Sequence, residues 1–236
     1  MNVLKDAGKF TEAGWFDRAP KDFQRAVMRL ASRRELPRGA PVYHGGDHYA
    51  DLYGIVSGCI DFTSRFSVPD SPIFHISHAG TWFGVGPLVS GLPRRASATA
   101  RTECTVLQVP AVALLKVLAD RPVWWREIAA CAMEYGDVVS GAYADMQIPE
   151  SRRRCIAVLL SACGCRFPGR PSDAPLDAHL TQSELAAMAN VSRNTLGTIL
   201  RDLQDRNLVR LSYGSIMPFA PAALREIVAG DRSKSK

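Results

Sequence analysis

Residues 180–211 read LTQSELAAMANVSRNTLGTILRDLQDRNLVRL, and the polar and apolar spacing in this stretch predicts two helices that meet at a sharp angle. Thr181 followed by Glu184 is a capping box, in which the Thr hydroxyl accepts from an orphan N–H and the Glu carboxylate reaches back to the cap. Leu185 and Met188 form the inner face of the helix that starts there, and Ala186 is small enough for a second helix to cross closely. Asn190 tolerates the left-handed backbone a tight turn needs, and Ser192 caps the next helix. In that helix Leu196, Ile199, Leu200 and Leu203 point inward, leaving Arg193, Asn194, Gly197, Thr198 and Arg201 on the opposite side. A small residue at the crossing, a tight turn, a cap and a polar start to the second helix are the requirements of a helix-turn-helix, whose second helix enters the major groove of double-stranded DNA. A purely structural hairpin needs the same turn but has little reason to gather Arg, Asn and Thr at one helix start. Arg193, one residue past the cap, is placed to reach guanine O6 and N7, and Thr181, Gln182, Ser183, Ser192, Thr195 and Arg201 are the phosphate-side candidates. The next residues, LVRLSYGSIMPF at 208–219, alternate across two strands with Tyr213-Gly214 at the turn, the two-stranded wing of a winged helix.

Charge supports this placement. Residues 1–149 hold 16 Lys/Arg against 15 Asp/Glu, a net of +1, whereas residues 150–236 hold 13 against 8, a net of +5. A basic C-terminal module on a near-neutral body fits a nucleic-acid-binding domain, although a solvated basic face gives the same arithmetic. With 236 residues, 47% hydrophobic and 22% charged, the chain is long enough for one or two domains with a sizeable core. Its apolar runs, such as Ala111 to Leu115, fall far short of the ~18 to 20 residues of a membrane span, and the start MNVLKDAGKF lacks an apolar leader. The expectation is a cytoplasmic protein. The six cysteines, 59, 104, 131, 155, 163 and 165, lie in apolar contexts and read as buried thiols, not a disulfide framework.

Upstream of the motif, residues 1–19 read as a polar segment. Asp22 to Ser32 places Phe23, Ala26, Val27 and Leu30 at helical spacing. From Glu35 to Pro110 short apolar runs alternate with turn signals at Gly39, Gly45-Gly46, Gly58, Pro69-Asp70, Gly80, Gly84, Gly86 and Gly91-Leu92-Pro93, which predicts a β-roll or barrel of short strands. Ala111 to Ala119 is a short helix. Pro122 is suited to the first position of a long one that runs to about Ile148. In it Ile128, Ala132, Tyr135, Val139, Ala142 and Met146 recur at spacings of three and four, with Gly136, Ser140 and Gly141 beside them. That seam fits packing against a second copy of the helix; the alternative is a helix lying on its own roll. Pro149 ends it, and Glu150 to Cys163 resumes as a helix with Ile156, Leu159, Leu160 and Cys163 inward and Arg152, Arg153 and Arg154 exposed. Residues 166–175 form a Pro/Gly-rich loop. The expected domains are thus a polar segment 1–19, a sensor-like β-roll 20–121, a dimerisation helix 122–148, a winged helix-turn-helix domain 149–230 and a polar tail 231–236.

Taken in order, the roll with glycines at 39, 46, 58, 80 and 84, the long helix, the hinge and the stretch SRNTLGTILRDLQDRNLV resemble the family of cyclic-AMP receptor protein and fumarate-nitrate reduction regulators, over roughly residues 20–230. The resemblance implies an α+β fold with a cyclic-nucleotide-binding-like roll, a long dimerisation helix and a winged helix-turn-helix. It also implies a homodimeric transcription regulator, not an enzyme, that works on a promoter with RNA polymerase. Asn194 and Thr198 stand where close relatives read a further base pair with Glu and Arg, so Arg193, Asn194 and Thr198 are the expected base readers. Relatives that bind cyclic nucleotides present a glutamate after the glycine of the phosphate-binding turn and an Arg-Ser pair some ten residues on. In GTWFGVGPLVSGLPRRASATA, residues 80–100, Val85 takes the glutamate's place, and Arg94 or Arg95 is followed by Arg95 or Ala96 where serine is expected. Trp82, Val85, Arg94 and Arg95 are the effector-pocket candidates, and control by cyclic AMP is not expected. Nor is an iron–sulfur cluster, because the first cysteine is Cys59.

Two alternatives concern the roll. His44, His48, His75 and His78 can gather as a metal or haem sensor, or as ligands of a cupin-like enzyme, or serve as turn and surface residues; no carboxylate has a convincing ligand spacing, so no metal and no cofactor is expected. Trp82, Trp124 and Trp125 either pack the joint between roll and long helix or, for Trp82, line a ligand pocket.

Overall fold

The computed structural model describes residue 10 and residues 14–64, 73–166 and 175–230. The turn expected at Pro69-Asp70, residues 167–174 of the Pro/Gly-rich loop and the tail 231–236 lie outside the described residues. The chain divides into two compact units, one of residues 1–71 and 77–138, which holds most of the roll and the long helix as far as Val138, the other of residues 72–76 and 139–236.

In the first unit two helices, α1 (Trp15–Arg18) and α2 (Lys21–Leu30), precede eight short strands. These are β1 (Ser32–Leu36), β2 (Pro41–Tyr43), β3 (Leu52–Ser57), β4 (Cys59–Ser64), β5 (His75–His78), β6 (Trp82–Phe83), β7 (Ala96–Ala100) and β8 (Cys104–Val109), with a short helix α3 (Gly86–Ser90) between β6 and β7. They form two four-stranded sheets in the orders β1-β8-β3-β6 and β2-β7-β4-β5. Side chains alternate across a strand, and β3 shows what that does here. Leu52 and Val56 join a core shared with the helices, while Tyr53 and Ile55 join the core inside the roll. The same division separates Leu107 and Val109 from Cys104 and Val106 on β8. With both faces covered, β3 shows almost no polar alternation, as strands buried on two sides do.

The outer core corrects the expectation of a polar N-terminal segment. Phe10, Trp15 and Phe16 are at most 3% exposed and close around Trp82, with ring centroids 4.9, 6.3 and 4.8 Å away. Phe23 of α2 reaches Trp124 at 5.5 Å, and α4 (Ala111–Asp120) adds Leu114 and Leu118. Each fully buried aromatic contributes about 1.5–3 kcal/mol, so this segment is part of the roll's packing. Its aromatic anchors are spaced among charged and small residues, so composition alone reads it as polar.

Pro122 opens a 3-10 turn (Pro122–Trp124), and the long helix α5 (Trp125–Met146) follows it, three residues later than expected. The seam is also corrected. Ile128 is fully buried in the outer core with Ala132 packed against it, and Tyr135 turns into the roll, 6.2 Å from Phe62. These three pack on their own roll, Ile128 fully buried and Ala132 and Tyr135 half-buried. The face left exposed is one residue on: Ala129, Met133, Gly136, Ser140 and Tyr143, at the same spacings of four and three, with Val139 at its edge and 54% exposed. Ala142 and Met146 are half-buried.

The second unit is built on α6 (Ser151–Ala162), whose residues 155–160 and Ala162 are buried. Around it lie α7 (Gln182–Met188), α8 (Arg193–Asp205), the hairpin of β9 (Val209–Ser212) and β10 (Ser215–Pro218), and α9 (Pro221–Ala229). Ser212 pairs with Ser215 across the wing turn, where Gly214 takes the left-handed φ of +69° that a two-residue hairpin turn favours.

Candidate nucleic-acid interface

The helix-turn-helix forms as its spacing predicts. Thr181 Oγ1 accepts from the Glu184 N–H (3.2 Å) and the Glu184 carboxylate accepts from the Thr181 N–H (2.8 Å), completing the capping box. Ala186 is buried at the crossing, Asn190 adopts φ +51°, and Ser192 Oγ accepts from the Thr195 N–H at 3.0 Å. Leu185, Leu196, Leu200 and Leu203 are at most 1% exposed. Their burial locks the two helices and leaves the opposite face of α8 to solvent.

That face holds every base-readout candidate. Arg193, Asn194 and Thr198 are exposed, as are Arg201 and the cap residues Thr181, Ser183, Ser192 and Thr195; Gln182 is half-exposed. Arg201 donates to Thr198 Oγ1 (3.3 Å), which in turn donates to the Asn194 carbonyl (3.2 Å). The two bonds hold the side chains of Thr198 and Arg201 together on the exposed face of α8. Arg193 makes no such bond among the described residues, so its five donors are free for a bidentate acceptor. Thr181 Oγ1 is also bonded to the Glu184 carboxylate at 2.7 Å, which occupies part of its capacity toward a phosphate. The exposed α8 N-terminus adds unpaired N–H groups and the positive end of the helix dipole.

The arginine triplet of α6 differs from the sequence expectation of an exposed basic run. Arg154 donates through Nη1 to the Ile148 carbonyl (2.7 Å) and through Nε to the Ala189 carbonyl at the end of α7 (2.8 Å). Arg153 bonds the Val228 carbonyl at the end of α9 (2.7 Å), and Arg152 pairs with Asp202 of α8. Each thus ties α6 to a different element of the DNA-reading unit. Asp145, 3% exposed near the end of α5, accepts hydrogen bonds from Nε and Nη2 of Arg166 and one from Ser161. Little in the local pattern marks these residues, because most of their partners are carbonyls and carboxylates 16 to 75 positions away, the Ile148 carbonyl, six positions from Arg154, being the exception.

In the roll, the four effector-pocket candidates do not share one pocket. Trp82 and Val85 belong to the outer core and are 3% and 4% exposed. Arg94 is turned into the roll interior beside Tyr43, and Arg95 is exposed. A cyclic nucleotide needs an acceptor for its ribose hydroxyl and free donors for its phosphate. Val85 is a buried apolar branch that offers no acceptor to a ribose hydroxyl, and Arg94 donates one bond each from Nη1 and Nη2 to the Gly84 and Asp51 carbonyls. The histidines do not gather either: His44 and His48 are exposed, His78 is buried against Cys59 Sγ (3.3 Å), and no group of three metal-ligating side chains forms among the described residues. All six cysteines are buried. Burial pushes the Cys155 thiol up to about 11 and that of Cys131 higher still, which keeps both protonated at neutral pH.

Comparison with known proteins agrees with this architecture. Residues 33–121 match the model of the cyclic nucleotide-binding domain, and residues 153–227 match that of the Crp-like helix-turn-helix domain. The chain belongs to the family of cyclic-AMP receptor protein and fumarate-nitrate reduction regulators. It is 26% identical to a CRP-like cAMP-activated global transcriptional regulator of Mycobacterium tuberculosis over 206 residues, 87% of this chain and 92% of that one. It is also 26% identical to the cyclic AMP receptor protein of Thermus thermophilus, over 90% of this chain and 94% of its relative. A solved structure of a CRP-family transcriptional regulator, also from Thermus thermophilus, superposes with a TM-score of 0.63 over 83% of this chain and 96% of that one, at 21% identity, and shares its fold. The chain is therefore a CRP-like transcriptional regulator with a helix-turn-helix DNA-binding domain, and its relatives are regulators rather than enzymes. No helix among the described residues is long and apolar enough to cross a membrane.

Proposed function

We propose that this member of the family is a cytoplasmic homodimer that binds a palindromic promoter site without control by cyclic AMP and acts there with RNA polymerase. The reading is carried by the outward face of α8, where Arg193 has no internal partner among the described residues while Arg94, the candidate nucleotide contact in the roll, is bonded to its own backbone. Arg193, Asn194 and Thr198 read bases; Thr181, Gln182, Ser183, Ser192, Thr195 and Arg201 hold phosphates and set register.

The homodimer is supported by the exposed stripe Ala129, Met133, Gly136, Ser140 and Tyr143. Spacings of four and three are those of a coiled-coil seam, and the small residues Ala129, Gly136 and Ser140 alongside Met133 and Tyr143 let helix backbones approach closely. A dimer presents two α8 helices to half-sites about one helical turn apart. Selecting bound genomic fragments with purified protein, with and without cell extract, tests the proposal. Enrichment of one inverted repeat without extract supports it; enrichment only with extract shows that a small ligand gates the regulator.

A further inference from the structure

The roll interior holds a fully buried cation. The side chain of Arg94, 2% exposed, donates from Nη1 to the Gly84 carbonyl (2.5 Å) and from Nη2 to the Asp51 carbonyl (2.7 Å). Its guanidinium carbon lies 4.1 Å from the centroid of the Tyr43 ring and 5.7 Å from that of Tyr53. Nε is buried without a hydrogen-bond partner, and among the described residues no carboxylate forms an ion pair with the group. A buried charge held only by dipoles and ring faces is costly to keep, and the surrounding backbone is shaped to keep it. Gly84 has φ +92°, and a Cβ there would sit 2.8 Å from Arg94 Nη1 and 3.0 Å from the Asp51 carbonyl.

We propose that the guanidinium of Arg94 is the built-in occupant of the roll's effector site, doing from within the chain what a diffusible ligand does in a gated sensor. This rests on the reading that DNA binding needs no added nucleotide. Through the Gly84 carbonyl the group clamps the turn before α3, and through the Asp51 carbonyl it clamps the start of β3. Asp51 carries the clamp onward, because its carboxylate accepts from the Ala111 N–H at the start of α4 (2.8 Å) and from Gln108 Nε2 (2.5 Å). The Arg94 backbone closes the opposite side, its N–H donating to the Asp47 carbonyl (2.9 Å) and its carbonyl accepting from the Gly46 N–H (2.8 Å). From the stacked rings a chain of contacts reaches the long helix: Tyr53 to Phe83 at 5.4 Å, Phe83 to Phe62 at 5.3 Å, and Phe62 to Tyr135 of α5 at 6.2 Å. A ligand biases a two-state protein by its differential affinity. A covalently attached group supplies that bias at all times, which makes Arg94 a positioning residue for DNA binding.

The test is chemical rescue in the full-length protein. Arg94→Ala is expected to melt at least about 5 °C lower and to bind the selected DNA at least roughly tenfold more weakly. Methylguanidinium chloride at millimolar concentration, too dilute to denature, restores both quantities in the variant and changes neither in the wild type; potassium chloride at equal concentration restores neither. A variant with wild-type melting and affinity overturns the proposal, and so does a folded, weakened variant that methylguanidinium does not rescue. Should Arg94→Ala fail to fold, Arg94→Lys takes its place. A lysine ammonium lacks the planar fork, so affinity falls at least threefold, and unchanged affinity overturns the proposal. Wild-type protein that binds no DNA refutes the proposed function and not this inference, because melting and its rescue still report on Arg94.

Discussion

The two units of this regulator treat the same side chain in opposite ways. On α8 Arg193 stands in solvent with no partner among the described residues, whereas in the roll Arg94 is buried and its Nη1 and Nη2 donors are bonded to carbonyls of its own chain. An exposed fork retains its hydrogen-bonding capacity for whatever anion or base edge arrives; a buried one has exchanged that capacity for internal order. The difference separates a surface prepared for a partner from a site already filled. It predicts that perturbing the roll arginine acts first on folding, and that perturbing the α8 arginine acts only on binding.

The largest effect is expected for Arg94→Ala. It removes the donors of two part-buried carbonyls and the guanidinium packed on Tyr43, and a thermal melt should fall by several degrees while Arg193→Ala leaves the melt unchanged. Equal destabilisation by the two substitutions would erase the contrast between the units. Next is Met133→Asp, which places a charge in the proposed seam opposite its symmetry mate at a cost of several kcal/mol. Met133 is 67% exposed, so the monomer should stay folded, and sedimentation should show it as a monomer that no longer binds an inverted repeat. Ile128→Asp instead should unfold the roll. A dimeric Met133→Asp protein would place the interface on another face.

Smaller effects sharpen the DNA-reading side. Arg193→Ala should cost roughly 1–3 kcal/mol at one base pair and relax the preference there. Affinity measured on a set of sites with that pair varied would show the loss only on the preferred base; a uniform loss would make Arg193 a phosphate contact. Ser192→Ala removes a helix cap and should lower stability by about 1 kcal/mol. Urea unfolding would show it as a shifted midpoint at constant slope.

The DNA-binding unit was legible because its rules are local. The Thr181–Glu184 box, the Asn190 turn, the Ser192 cap and the leucine periodicity all fall within residues 180–211, and each contact the sequence predicts is made a few positions away. The roll was legible as a succession of turns and strands and no further. The inward direction of Arg94 depends on carbonyls 10 and 43 positions distant, and the burial of Phe10 depends on Trp82. Likewise the exposed face of α5 lies one residue on from the predicted seam, because Ile128 and Tyr135 satisfy the same spacing by packing on the roll. Periodicity identifies an apolar face but not which surface covers it.

The most direct test is a titration of labelled palindromic DNA with purified protein, repeated at saturating cyclic AMP. The account predicts specific binding without the nucleotide and a change in affinity of less than about threefold on adding it, since a ligand without differential contacts shifts no equilibrium. A gain of roughly tenfold or more, or no binding until the nucleotide is present, would show that the roll is still a cyclic-nucleotide switch and would contradict the account.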